Sequence, residues 1–181
     1  TITRNDKKLV SKKGYYRDDI KVLYFRKDVV GTMPDYRIVS DTLVYDTDNE
    51  MMYFHGPTTI YNKENVLYGK YGWYNTETEL AYMDRRATLR NKEQIMTADT
   101  MYFNKQTGYA KALSDVVLED TTNKAMMKGE FAEMWRNLGK CMMTDNLRGI
   151  YYEEIDTLFA KADTIYVFFD TLNNDIQRIK A

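Results

Sequence analysis

The stretch of sequence that decides the fold is residues 98–119, which read ADTMYFNKQTGYAKALSDVVLE. From residue 109 onward, apolar and polar positions alternate as in a strand with one dry face and one wet face. The dry face carries Ala110, Ala112, Val116 and Leu118, and the wet face carries Lys111, Asp115 and Glu119. The NKQTG segment before it has the composition of a turn, because Asn, Gly and Thr suit turn backbone geometry. The stretch therefore predicts two strands joined by a short turn.

This two-stranded unit repeats along the chain. Tyr16, Tyr45, Tyr74 and Phe103 lie 29 residues apart, and a polar cluster follows each of them. The same interval links two further sets of positions: Tyr24-Phe25 with Tyr53-Phe54 and Tyr82-Met83, and Thr59-Ile60 with Thr88-Leu89 and Val117-Leu118. After Phe103 the interval stretches to 32, so Trp135 is expected to continue the series, followed by Val167. We expect about six copies of one repeated unit.

A second signature falls on alternate units. It consists of an Asp-Thr pair after a small residue and before an apolar one, at Asp41, Asp99 and Asp163. Three such carboxylates could form a repeated acidic site. We favour the simpler interpretation that each Asp begins a strand and bonds to a nearby turn amide, as short polar side chains often do.

The pattern predicts all-β structure throughout, as one domain over residues 1–181. Gly56-Pro57 and residues 84–86 interrupt the alternation and predict β-bulges. Residues 129–137 are the one place where a turn of helix is considered. Short polar turns favour an antiparallel meander, and a parallel β-helix is the alternative because it also repeats at short intervals.

Composition excludes several classes of function. The chain has 181 residues with 26 basic and 27 acidic side chains spread through it. No basic stripe suggests nucleic acid, which needs clustered Lys and Arg. No apolar run approaches the roughly 18 residues of a spanning helix. The chain begins at Thr1, so we expect a trimmed mature protein or a fragment.

The reactive side chains argue against catalysis. His55 is the only histidine and Cys141 the only cysteine, so neither has the partner that acid–base, nucleophilic or metal chemistry needs. We expect no enzyme activity, no metal and no cofactor. The methionine pairs are expected to be half core and half surface, with ligand contact as the alternative: Met51-Met52, Met126-Met127 and Met142-Met143. The basic clusters Lys7-Lys8, Lys12-Lys13 and Arg85-Arg86 are expected to be solvated, with lipid phosphates as the alternative partner.

Residues 98–129 resemble the repeat of the OstA-like, or LptA-type, lipopolysaccharide-transport proteins. The resemblance rests on the Ala98-Asp99 opening, the small-x-small segment from Ala110 to Ala112, and the turn in which Ser114-Asp115-Val116 replaces Gly-Asn-Val. It extends over roughly residues 15–181 because the unit repeats. The family implies an antiparallel repeat sheet rolled into an open, V-shaped β-jelly roll with a groove. It also implies the periplasm of a Gram-negative bacterium, with association to the outer membrane as a second expectation.

The resemblance further implies non-enzymatic binding and transport of lipopolysaccharide, or a related lipid, in that groove. The expected partners are other OstA-like domains paired end to end through their strands, the outer-membrane translocon and inner-membrane transport components. The expected groove residues are Met52, Phe54, Ile60, Tyr82, Leu89, Met101, Phe103, Ala110, Ala112, Val116 and Leu118. The alternative is a structural β-repeat scaffold or adhesin-like module with a filled core. A glycan-cleaving enzyme ranks last, because it needs paired carboxylates across a cleft.

Overall fold

The computed structural model describes residues 1–4, 6–122, 124–152, 157–172 and 176–181. These residues form fourteen strands and one 3₁₀ turn at Arg136–Leu138. The strands are β1 (Ile2–Arg4), β2 (Lys7–Val10), β3 (Lys13–Arg17), β4 (Val22–Thr32), β5 (Tyr36–Asp46), β6 (Met51–Asn62), β7 (Val66–Asn75), β8 (Leu80–Arg90), β9 (Gln94–Asn104), β10 (Tyr109–Asp120), β11 (Ala125–Trp135), β12 (Lys140–Tyr152), β13 (Thr157–Phe169) and β14 (Ile176–Lys180). No helix in this part of the chain has the length and apolar character to cross a membrane.

The chain forms two compact units, Thr1–Lys92 and Glu93–Ala181. In unit 1, β4 to β8 pair in chain order; β2 and β3 both pair with β4, and β1 pairs with β2. In unit 2, β9 to β14 pair in chain order. All these pairings are antiparallel, so the predicted all-β antiparallel repeat is confirmed and the parallel β-helix does not apply to the described residues. The expectation of one domain over residues 1–181 stays a prediction.

The predicted polar clusters connect the strands. In the β5–β6 turn, the Asp46 carboxylate accepts hydrogen bonds from the backbone N–H groups of Asp48 and Asn49, at 3.1 and 3.0 Å. After β7, the side-chain oxygen of Asn75 accepts hydrogen bonds in the same way from the backbone N–H groups of Glu77 and Thr78, at 3.0 and 2.7 Å. Side chains of this length bond to the local backbone and stabilise the turn. Turn positions in the repeat are therefore fixed by Asn and Asp.

Every second long strand carries an irregularity near its middle, namely β4, β6, β8, β10 and β12. Pairs of residues with left-handed backbone occur at Lys27-Asp28, Arg85-Arg86, Ser114-Asp115 and Asp145-Asn146, and Gly56 has a φ of 135°. The strand register shifts at each of these places. The predicted bulges at Gly56-Pro57 and at residues 84–86 are therefore confirmed, and Ser114-Asp115, described from the sequence as part of a turn, also forms a bulge. A bulge bends its strand, so each bulged strand has two halves that run in different directions.

The interpretation of the Asp-Thr signature as a strand start is wrong. Asp41, Asp99 and Asp163 lie in the middle of β5, β9 and β13. Each falls in the stretch where the register with a bulged neighbouring strand shifts. The bulge interrupts the regular ladder there, and a short polar side chain suits an interrupted ladder. The signature recurs because the bend recurs.

Two features of unit 2 refine the expected pattern. The all-β prediction holds for residues 129–135, because β11 continues to Trp135, and the 3₁₀ turn spans Arg136–Leu138 only. Trp135 ends its strand just before a turn, as the aromatic series predicts, but it pairs with Tyr109 and faces away from the core. Met134, opposite Ala110, occupies the equivalent inward position. The longer connection to β11 shifts the phase of the alternation by one residue, and such a shift moves a side chain to the other face.

The inward faces of the strands form the core. Its largest fully buried side chains are Phe54, Ile38, Leu43, Met52, Met83, Leu147, Val29, Val116 and Thr58. Met83 packs against Gly69 and Gly72, and a Cβ on Gly72 would lie 2.2 Å from the Tyr82 carbonyl oxygen. The hydroxyls of Ser40 and Thr58 meet at 2.8 Å inside this core. In the described residues, no buried side-chain nitrogen or oxygen lacks a hydrogen-bond partner.

The alternation of faces along β5 can be tested with neighbouring residues. Leu43 is fully buried and Val44 faces outward. We expect Leu43→Ala to lower the free energy of unfolding by about 2–5 kcal/mol, because it removes buried methyl groups and leaves a cavity. Val44→Ala is the control and should cost less than about 1 kcal/mol. Urea unfolding of both variants measures the difference, and equal losses would contradict the register.

Candidate apolar binding site

The inward face of unit 1 divides into two walls at the line of bulges. We call one the tyrosine wall; it consists of β3 and residues 22–26, 43–46, 51–55, 71–75 and 80–84. We call the other the opposing wall; it consists of β1, β2 and residues 29–32, 36–40, 58–62, 66–69 and 87–90. Each wall is a run of antiparallel half-strands with one apolar face. The two apolar faces are turned toward each other, as the contacts between them demonstrate.

One aromatic contact joins the two walls directly. Tyr36 belongs to the opposing wall and Tyr74 to the tyrosine wall, yet their ring centroids lie 5.5 Å apart with the rings edge to face. Tyr74 is buried, with 7% of its surface exposed. Burial, together with a hydrogen bond to Tyr74, raises the pKa of the Tyr36 hydroxyl well above its ordinary value. The sheet of unit 1 is thus folded over on itself at the bulges.

A cavity of about 520 Å³ lies between the walls of unit 1. Seven of its lining residues are apolar or aromatic: Ile2, Leu9, Tyr16, Leu23, Met33, Tyr45 and Met52. Three are polar: Lys7, Thr47 and Glu50. Ile2 and Leu9 come from the opposing wall, and Tyr16, Leu23, Tyr45 and Met52 from the tyrosine wall. A volume of this size is typical of a site for a small or elongated apolar ligand.

Hydrogen bonds hold the polar rim of the cavity in place. The Glu50 carboxylate accepts from the Tyr45 hydroxyl at 2.5 Å and from the Thr76 hydroxyl at 2.6 Å. Glu50 itself has left-handed backbone, with a φ of 53°. The Thr47 hydroxyl donates to the Lys21 carbonyl at 2.8 Å. Three connections between strands are thereby tied together at one end of the cavity.

The predicted groove residues of unit 1 fall into three situations. Met52 and Phe54 lie on the tyrosine wall and are 1% exposed, and Met52 lines the cavity. Ile60 and Leu89 lie on the opposing wall and are half-buried. Each of them pairs with Leu67, which lies on the strand between them. Tyr82 faces the other way, since its neighbours Ala81 and Met83 are the inward residues. It stacks on Trp73 on the outer face, with centroids 5.8 Å apart.

The predicted groove residues of unit 2 share one face. Met101 pairs with Ala112, and Phe103 pairs with Ala110. Leu118 lies opposite Met96 on one side and Met127 on the other. Val116 and Ala112 are almost fully buried, whereas Phe103 and Leu118 remain half-buried. The inward face continues onto β11 and β12 through Ala132 and Met143. It is composed largely of methionines and small residues.

The remaining residues considered from the sequence occupy ordinary positions. Met52 and Met143 are buried while Met51 and Met142 are not, as expected for pairs that are half core and half surface. Cys141 is half-buried opposite Met134, and burial raises the pKa of its thiol. His55 is exposed beside Tyr71. The Arg85 guanidinium lies 3.8 Å from the Tyr71 ring, and Lys12 pairs with Asp28 at the surface. Among the described residues, no group of three or more His, Cys, Asp or Glu side chains could hold a metal ion.

Most of the residues that line the cavity were not selected from the sequence. Tyr16 and Tyr45 carried a usable signal, because they open the aromatic series. Leu23 also sits at a fixed position, one residue before the Tyr24-Phe25 pair. Met33 follows β4 and Ile2 lies in the short β1, so neither belongs to a periodic pattern. They reach the cavity only because the sheet folds over at the bulges.

The fold and the site define a class of protein with an antiparallel repeat sheet that encloses an apolar space between two walls. The OstA-like protein family matches residues 2–99, which is more than half of the chain. This chain belongs to the OstA-like family.

A solved structure supports the fold. The chain is similar to LptH, the LptA-homologous periplasmic component of the conserved lipopolysaccharide transport device from Pseudomonas aeruginosa, with a TM-score of 0.55 and 16% sequence identity. The similarity covers 59% of this chain and 81% of LptH. It confirms the predicted β-jelly roll of the LptA type. A comparison with curated protein sequences gives no match.

The environment of Tyr36 predicts a dependence of stability on alkaline pH. Its pKa is raised from an ordinary value of 10.0, so the folded state keeps the proton that the unfolded state loses above that pH. The stabilisation is complete below the unfolded pKa and is lost as pH rises through it toward the folded pKa. We expect the free energy of unfolding to fall between about pH 9 and pH 11 more steeply in the wild type than in Tyr36→Phe. Urea unfolding across this range tests the difference, and parallel curves would contradict it.

Proposed function

We propose that this chain binds the acyl chains of lipopolysaccharide or a related lipid between the walls of its sheet and passes them toward the outer membrane. The proposed location is the periplasm, where the chain works with inner-membrane transport components and the outer-membrane translocon. The observation that carries the proposal is the cavity of about 520 Å³ between the two apolar walls of unit 1. Membership of the OstA-like family supports it.

The energetics suit a lipid carrier. Burying one methylene group stabilises by ~0.8 kcal/mol, so a chain of about a dozen carbons gains on the order of 10 kcal/mol. A lipid therefore cannot cross water efficiently unless its chains stay covered. A trough between two apolar walls covers a chain along its length. Methionine side chains on the inward face of unit 2 can adapt to different chains because they are flexible and polarizable.

The proposed ligand contacts differ among the predicted groove residues. Met52 lines the existing cavity but is only 1% exposed, so it would form part of the cavity floor. Ile60, Leu89, Phe103 and Leu118 are half-buried and can contribute part of their surface. Phe54, Ala112 and Val116 are almost fully buried and serve as the floor beneath such a ligand. We propose no direct ligand contact for Tyr82, because its ring stacks on the outer face.

A non-enzymatic role is part of the proposal. His55 is exposed, and Cys141 is half-buried between apolar neighbours with its thiol pKa raised by burial. A thiol with a raised pKa holds little of the reactive thiolate. The side chains between the walls are mostly apolar, so they favour retention of a ligand over bond cleavage. The energy for directed movement would then come from a partner.

The edge of β13 supports end-to-end pairing with another OstA-like domain. β14 pairs only with residues 166–169 of β13, so within the described residues 157–165 pair on the β12 side alone. Leu158 and Phe159 on this edge are 67% and 75% exposed. An unpaired edge with exposed apolar side chains is a template for strand addition. Each hydrogen bond gained nets only ~0.5–1.5 kcal/mol, so such pairing can be reversible.

A structural scaffold with a filled core is the second candidate. The fully buried centre of unit 1, around Phe54, Ile38 and Leu43, favours it. The two candidates differ in what happens at the cavity. A scaffold has no use for the space between Leu23 and Leu9, and a carrier fills it with ligand.

A charge placed in the cavity tests the lipid-binding function. Leu23 lines the cavity and is half-buried, and the adjacent Tyr24 faces outward against Tyr15. We expect Leu23→Glu to weaken binding of the fluorescent apolar probe N-phenylnaphthylamine by about tenfold or more, since an unpaired charge opposes apolar burial. Tyr24→Glu is the control and should bind as the wild type does.

Lipopolysaccharide should displace the probe from the wild type and from the control. A wild type that binds no probe, or from which lipopolysaccharide displaces none, would favour the scaffold. Mass spectrometry of lipids that co-purify from the native host would then identify the natural ligand.

A charge on the free edge tests end-to-end pairing. We expect the wild type to associate as concentration rises in sedimentation velocity, and Phe159→Lys to remain monomeric over the same range, because charges on an edge oppose strand addition. Leu172→Lys is the control, since Leu172 is 94% exposed but lies in the turn after β13. A wild type that stays monomeric at every concentration would count against pairing through this edge.

A further inference from the structure

The contact between Tyr36 and Tyr74 borders the cavity of unit 1. Tyr74 lies directly opposite the cavity residue Met52 on the neighbouring strand. On the other wall, the Met33 N–H donates to the Tyr36 carbonyl at 3.0 Å, and Met33 also lines the cavity. Tyr45, a third cavity residue, pairs with Met52 on the side away from Tyr74. The two rings therefore stand where the cavity ends toward β7.

The size of the cavity sets a limit on what it can hold. A methylene group takes up roughly the volume of a water molecule in the liquid, about 30 Å³. A space of about 520 Å³ then accommodates roughly 17 such groups. That is one long acyl chain. A lipid with several chains needs more of the space between the walls than the closed contact leaves.

The inward face extends past the contact. Beyond Tyr74, the tyrosine wall continues to Ala81, and the opposing wall continues through Leu67 to Leu89. Leu89 is half-buried and faces inward. Ala81 and Leu67 are only 4% and 9% exposed, so this apolar surface on the far side of the two rings is covered while the contact is closed. Separation of the rings would join this surface to the existing cavity.

We infer that Tyr36 and Tyr74 form a latch across the groove of unit 1, which admits one acyl chain when closed and must open for a lipid with several chains. This inference rests on the proposed lipid-binding function. The latch determines specificity by chain number, and it acts through the distance between the two walls. An edge-to-face contact suits the role because the two rings can separate when the walls part, and no hydrogen bond between paired strands has to break.

The latch can be tested by comparing a single-chain and a multi-chain ligand on the same protein. The single-chain probe is the fluorescent fatty acid cis-parinaric acid, and the multi-chain competitor is lipopolysaccharide. The variants are Tyr36→Ala, which removes the ring, and Tyr36→Phe, which keeps the ring and removes the hydroxyl. Tyr61→Ala is the matched control, because Tyr61 is an exposed tyrosine on the outer face of β6. Thermal unfolding of each variant verifies that it is folded.

In Tyr36→Ala, we expect lipopolysaccharide to displace the probe at roughly fivefold lower concentration than in the wild type, while the affinity for the probe changes by less than about twofold. Tyr36→Phe should change the same ratio in the same direction by a smaller factor, and it keeps the test available if the alanine variant does not fold. Tyr61→Ala should leave the ratio unchanged.

Two results would overturn the inference, and they can be told apart. If Tyr36→Ala and Tyr36→Phe change the affinities for both ligands by the same factor, the contact only stabilises the sheet, and the lipid-binding function stands without a latch. If the wild type binds neither ligand, the proposed function fails and the latch fails with it.

Discussion

The bend at the bulges is the constraint on which the rest of the structure depends. Four of the residues at the bulges have a left-handed backbone conformation: Lys27, Asp28, Arg85 and Arg86. This conformation costs roughly 1–2 kcal/mol per non-glycine residue. The bend persists because it turns two apolar half-sheets toward each other, and that burial outweighs the local strain. A flat sheet of the same strands would leave one apolar face in water. Fold and cavity therefore have a single physical origin.

The two units fill their inward faces differently. In unit 1, large side chains such as Phe54, Ile38 and Leu43 pack the centre, and the cavity remains at the end nearest β1. In unit 2, inward methionines alternate with small residues, as where Met101 faces Ala112 across β9 and β10. Small residues leave room above the sheet, and methionine adapts its shape to what occupies that room. The same backbone repeat thus supports one rigid inward face and one adaptable one.

The sequence was sufficient for the strands and their turns, because a two-residue period and a 29-residue repeat are local properties. It was insufficient wherever a shift of one residue in the alternation decides which face of the sheet a side chain occupies. Tyr82 was expected in the groove and lies on the outer face, where it stacks on Trp73. Trp135 faces outward, although Tyr74 and Phe103 of the same aromatic series face inward. A bulge or a longer turn changes the phase. The cavity was not predictable from the sequence. Met33 and Tyr45 both line it, and they come together only when the sheet folds over at the bulges, which no local pattern encodes.

The magnitudes explain why an aromatic contact can close such a groove without blocking it permanently. An edge-to-face pair contributes about 0.5–1.5 kcal/mol beyond the area it buries. Each methylene that enters the groove contributes ~0.8 kcal/mol, so two or three methylenes of a second chain offset the pair interaction. The hydrogen bond between Tyr36 and Tyr74 adds a similar net amount, about 0.5–1.5 kcal/mol. A single chain that already fits the cavity gains nothing by separating the rings, whereas a second chain offsets the pair interaction and also covers the apolar surface that separation exposes, such as that of Tyr74. A contact of this strength therefore distinguishes lipids by the number of chains they bring, because only the further chains make opening favourable.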